Sequence, residues 1–176
     1  MLCGFPVNSK HIRSALVVIS VAVLCSFSPV LYIIAWHLRH GSTVTFSGKS
    51  ISVPLGWIVD SYDYTAIGIT KPPRCLPCGT RPLGTASISK LRYTEGKDEA
   101  EIVKNWYRTA SGLTQGTNLV LSSRNEDHLT CTRTSLRSRP DWVNLSCLAY
   151  PSMLDAEFLG RTKDMDEYLA IARSMR

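Results

Sequence analysis

The side chains with the greatest capacity for chemistry in this chain are its six cysteines. Cys75 and Cys78 form Cys75-Leu76-Pro77-Cys78, a C-x-x-C spacing. That spacing suits thiol–disulfide exchange, half of a zinc site or a local staple. Exchange needs a thiolate, normally made by placing the first thiol at a helix N-terminus. The residues that follow, Gly79-Thr80-Arg81-Pro82-Leu83-Gly84, oppose a helix, leaving only Arg74 and Arg81 to favour the anion. Zinc needs further ligands. Cys131 and Cys147 lack a second C-x-x-C spacing and His128 stands alone, so no metal is assigned. A disulfide staple in a proline-rich loop is the preferred reading, with exchange chemistry and a zinc-stabilised domain as alternatives.

Cys131 and Cys147 are placed by strand geometry. Reflecting the candidate strands 129–136 and 142–150 about Arg139 sets the two cysteines opposite one another, each eight residues away. Leu129 then faces Ala149, and Arg133 faces Leu145. A cross-strand disulfide is expected, in an oxidising compartment. Trp57 and Trp106 are the candidates for stacking against a ligand, and each also reads as a core aromatic. Asp60 and Asp63 flank an expected solvated turn. There is no G-x-S-x-G, H-E-x-x-H, P-loop or Rossmann glycine pattern. No catalytic residue and no cofactor is assigned, and a non-enzyme is favoured.

These residues must be positioned by a chain that begins with an apolar segment. Ser14 to Trp36 carries no charge and is flanked by Arg13 and by His37, Arg39 and His40. As a helix its 23 residues would reach about 34 Å, enough for a hydrocarbon core of about 30 Å. Pro29 lies inside it and would kink rather than end it. The segment is longer than the apolar region of a cleaved signal peptide and offers no clean small-residue cleavage site, which leaves a cleaved signal as the alternative. It reads as an uncleaved signal anchor, with Tyr32 and Trp36 at the far interface and His37 and His40 as polar anchors. Lys10 and Arg13 weigh towards a cytoplasmic tail over residues 1–13, although Arg39 and Lys49 follow the span.

Residues 41–176 are then one extracytoplasmic domain of ordinary size. The net charge of +6 leaves +3 on that domain, because Lys10, Arg13 and Arg39 precede it without an acid. That is no nucleic-acid signature. The expected partners are the membrane and another envelope protein or a small ligand.

Alternation marks a hairpin over Val44–Phe46 and Ile51–Val53, and Trp57 leads into a further strand through Val59. More strands are expected at Tyr64–Thr70, Thr85–Tyr93, Asn118–Ser123, Leu129–Leu136, Trp142–Tyr150 and Leu154–Leu159, the last ended by Gly160. Arg137 to Asp141 reads as a turn. Asp98 caps a helix carrying Ile102, Val103, Trp106, Tyr107 and Ala110 on one face. A C-terminal helix from Thr162 or Asp164 turns Met165, Tyr168, Leu169, Ala172 and Met175 inward. Strands, helix, strands, helix is an α+β order with a mostly antiparallel sheet and two main helices after the membrane segment.

Two stretches carry a family resemblance. Val53-Pro54-Leu55-Gly56-Trp57, closing a hairpin, and the run from Phe158-Leu159-Gly160 to Ile171-Ala172-Arg173-Ser174 resemble bacterial exported domains of the Mog1/PsbP-like fold. The likeness covers roughly residues 43–176. It implies an α/β/α sandwich, anchored in the bacterial inner membrane and facing the periplasm. It also implies an accessory or binding module rather than an enzyme.

Overall fold

Outward polar and inward apolar residues alternate along nearly every segment of the domain, and a sheet buried chiefly on one face follows. The computed structural model describes residues 9–73, 81–91, 98–112, 119–126, 128–136 and 139–176. Cys75 and Cys78, and residues 1–8 of the expected tail, lie outside them. Helix α1 (Ser9–His40) is followed by strands β1 (Thr43–Phe46), β2 (Lys49–Ser52), β3 (Ile58–Tyr62), β4 (Ala66–Lys71) and β5 (Gly84–Lys90). Helix α2 (Glu99–Gly112), strands β6 (Leu119–Glu126), β7 (Leu129–Leu136), β8 (Arg139–Ala149) and β9 (Leu154–Arg161), and helix α3 (Met165–Ser174) complete the chain. Strands β1 and β2 form a separate hairpin. The other seven form one sheet in the order β3-β4-β5-β9-β8-β7-β6, antiparallel throughout. This is an α+β domain behind an apolar helix.

Several boundaries differ from those expected. Strand β8 starts at Arg139, inside the stretch that read as a turn, because Arg139 still pairs with Leu136 across a register shift. Strand β4 starts at Ala66 rather than Tyr64. The Asp63 carboxylate holds Thr65 and Ala66 in a turn, accepting from the Thr65 N–H and hydroxyl at 2.6 Å each and from the Ala66 N–H at 2.8 Å. Those three bonds also lower the Asp63 pKa, the Thr65 hydroxyl most of all. Strand β5 ends at Lys90 rather than Tyr93. Gly160 does not end β9; it pairs with Gly84 and Val143 within the strand.

The main core fills the inner face, between the sheet and α3 with the β1–β2 hairpin. Ile51, Ile67, Ile69, Ile88, Leu154, Phe158 and Ile171 are fully buried there. Gly84 and Gly160 make room for the Tyr168 ring. A Cβ on Gly84 would sit 3.0 Å from the Tyr168 hydroxyl, and one on Gly160 would collide with it. Phe158 stacks on that ring at 5.5 Å and Trp57 meets it edge-on at 5.5 Å. The Cys131–Cys147 disulfide lies in this core, joining directly opposed residues of β7 and β8. That is the pairing the strand reflection implies.

Helix α2 forms as expected, with Asp98 Oδ1 accepting the Glu101 N–H at 2.7 Å. It packs on the outer face of the sheet, where Ile102 and Trp106 meet Leu148, with Leu91, Val103, Tyr150 and Met153 around them. Tyr107 is 37% exposed rather than part of that stripe.

Helix α1 is a single helix of 32 residues, about 48 Å long, running through Pro29. Its stretch Arg13–His40 is long and apolar enough to cross a membrane and is scarcely covered by the rest of the protein.

Gly160→Ala is expected to lower stability by about 1–3 kcal/mol, because the added methyl overfills a rigid corner. Tyr168→Phe removes a hydroxyl without a partner and should be near neutral alone, while recovering part of the loss in the Gly160→Ala chain. Denaturant unfolding of the detergent-solubilised full chain reads both. Equal stability of Gly160→Ala and the parent would contradict the close approach.

Candidate functional site

Helix α2 covers only one end of the outer face. The remainder is a row-by-row display of small polar residues, fixed by register. One row runs Ser61, Gly68, Ser87, Glu157 and Ser146 across β3, β4, β5, β9 and β8. The next runs Thr70, Thr85, Leu159 and Asn144 across β4, β5, β9 and β8. Short side chains on a twisted sheet leave a concavity, here an open groove of about 440 Å³. This volume is in the range of small-molecule sites.

Asp60 enters the groove through a defect in the strand. The register of β3 on β4 shifts between Val59 and Ser61, leaving Asp60 as the extra residue of a bulge. Both Asp60 and Ser61 then lie over Gly68, where a Cβ would collide with the Ser61 hydroxyl and come within 2.6 Å of Asp60 Oδ1. The carboxylate is oriented by the Thr70 hydroxyl, which donates to Oδ2, and by the Ser61 hydroxyl at 3.4 Å. Glu157, three strands away from the bulge, is exposed on the same face. The described lining holds Asp60, Asp63 and Glu157 and no Lys, Arg or His. On a chain of net charge +6 this is a local anionic surface.

Asp155 stands on β9 two residues from Glu157, at the edge of the α2 cover. Its Oδ1 accepts the Trp106 indole N–H at 2.9 Å. Burial pushes its pKa up to about 6, against the Trp106 hydrogen bond, with the Glu157 charge adding to the rise.

A second polar cluster lies on the inner side, where Lys71 ends β4. Lys71 Nζ is 3.0 Å from Asp164 Oδ1 and 2.6 Å from Glu167 Oε2. The Trp57 indole N–H donates to the same Glu167 oxygen at 2.6 Å, and Lys71 sits over the Trp57 ring at 5.8 Å. The Tyr168 hydroxyl beside this cluster is buried without a hydrogen-bond partner among the described residues. Burial, then the Asp164 charge, raises its pKa. These charges are paired, and Leu83 N–H donates to Lys71 O at 2.8 Å. The cluster fixes Trp57 and α3.

The tryptophans singled out by sequence are therefore found in packing roles. Trp57 is fully buried and Trp106 is 8% exposed, each with its indole N–H on a carboxylate. The groove residues Asp60, Thr70, Ser87 and Glu157 were not singled out as ligands. The sequence does carry a signal for them, in the alternation Thr85-x-Ser87-x-Ser89, where hydroxyls occupy outward positions normally given to long polar side chains. Among the described residues no group of three or more His, Cys, Asp or Glu could hold a metal ion. No protein-family model and no curated protein sequence matches the chain.

Asp155→Asn tests the buried carboxylate. With a folded pKa near 6 against 3.8 unfolded, the native state holds the extra proton between those values, so stability falls as pH rises from about 4 to 6 and stays low above. Asparagine keeps an acceptor for Trp106 without the charge. The variant should gain on the order of 2 kcal/mol at pH 7 and lose the slope between pH 4 and 6. A destabilised variant at pH 7 would contradict the assignment.

Proposed function

We propose that this protein is a single-pass membrane-anchored binding module, non-enzymatic, whose open sheet face holds a polar ligand bearing positive charge. The observation that carries this is the groove itself: a concave, hydroxyl-lined surface, acidic on a basic protein and left uncovered by both helices. Hydroxyls of Thr70, Thr85 and Ser87 and the Asn144 amide supply hydrogen bonds, Asp60 and Glu157 supply charge, and Leu159, 51% exposed, supplies an apolar contact.

Helix α1 supports the anchor, by length and apolarity. A disulfide buried in the core accords with a domain held in an oxidising compartment, the periplasmic side of a bacterial inner membrane with the N-terminus in the cytoplasm. The Mog1/PsbP-like resemblance points to the same kind of accessory module. The partner on this reading is a small cationic ligand or a cationic segment of an envelope protein.

Titration calorimetry of the detergent-solubilised full chain tests it, with spermidine as probe and succinate as control. Saturable heat is expected with spermidine alone, and Asp60→Asn with Glu157→Gln should weaken binding by about tenfold or more. Absence of saturable heat with spermidine, or binding unchanged in the double variant, would overturn the reading.

A further inference from the structure

The corner Pro54-Leu55-Gly56-Trp57 presents an apolar side chain that the fold itself does not require. Trp57 N–H donates to Pro54 O at 3.0 Å and Gly56 takes a φ of +99°, which makes this a tight turn with its glycine at the one position that needs it. The position between them, Leu55, accepts almost any residue. Yet it holds a leucine that is 78% exposed, the most exposed aliphatic side chain among the described residues outside α1.

The corner is tied to the end of α1 from both sides. Val53 N–H donates to Ser42 O at 2.8 Å, and the His37 ring Nε2 bonds Trp57 O at 2.9 Å. Leu55 is two positions from each tied residue, Val53 and Trp57, so its Cα lies within about 7 Å of theirs. His37 directly follows Trp36, which stacks on His40 at 4.8 Å and packs against the main core. If Ser14–Trp36 crosses the hydrocarbon, Trp36 stands at the interface, and the corner is held at nearly that depth. Leu38, 84% exposed, lies on the same stretch of α1.

We infer that the corner is a second membrane contact: Leu55 enters the interfacial layer of the bilayer that α1 crosses, as does Leu38, and seats the domain on it. This rests on the anchor reading above. The occupant is the lipid surface because α1 brings that surface to the corner, and because an aliphatic side chain held at that level gains by leaving water.

The full chain is reconstituted into phosphatidylcholine vesicles with an environment-sensitive fluorescent amino acid replacing Leu24, Leu55 or Tyr64, and brominated lipid is the quencher. Tyr64, 95% exposed, lies beyond the other end of β3. The expected result is strong loss of emission at positions 24 and 55 and none at 64. Quenching at 24 with position 55 as bright as 64 would overturn the seat and leave the anchor standing. No quenching at 24 would overturn the anchor and the seat together.

Discussion

The constraint on which the domain depends is the close approach of α3 to the sheet at Gly84 and Gly160. A helix of 10 residues spans only about 15 Å, and it must cover the centre of a seven-stranded sheet. It does so because two facing glycines on β5 and β9 admit the Tyr168 ring, with Phe158 and Trp57 packed around it. Lys71, Asp164 and Glu167 then close the end of that layer, and the Trp57 N–H joins them. With one face sealed in this way, the other falls to α2, which packs on β7 and β8 and reaches β9 through Trp106. The groove is the part of the outer face that is left over.

That leftover surface has a composition of its own. Its side chains are short, so the sheet stays concave, and its charges have one sign. The bulge at Asp60 shows how a strand defect shapes that surface: one extra residue sets a carboxylate over a glycine, and two hydroxyls orient it. Asp155 shows the opposite treatment of an acid, buried under Trp106 and raised in pKa. The same strand thus carries one carboxyl kept from water and, two residues on, one offered to it.

Much of the scaffold was legible in the sequence because period and register are local properties. The hairpin, the span of β7, the opposition of Cys131 and Cys147, and the Asp98 cap follow from alternation, reflection and capping chemistry. What was not legible depended on contacts between distant segments. Gly160 reads as a strand end until Tyr168 is known to need its missing Cβ. Asp60 reads as a turn residue because a bulge breaks the alternation on which the reading relies. Tyr107 reads as part of the α2 stripe by spacing alone, but the helix turns Ile102 and Trp106 to the sheet and leaves Tyr107 at the margin, 37% exposed. The groove was hidden because Ser and Thr on a strand look like ordinary solvated positions. Only the incomplete cover of α2 makes them a lining.

Whether the acidic face is presented outside the cytoplasm, on a domain fixed to the membrane by α1, is the claim the rest serves. The most direct measurement labels intact cells with a maleimide that does not cross the cytoplasmic membrane, comparing the parent chain with Tyr64→Cys, a position 95% exposed in the turn between β3 and β4. The account predicts that the variant gains one label in intact cells. A label gained only after the cells are broken would place the domain in the cytoplasm and contradict it.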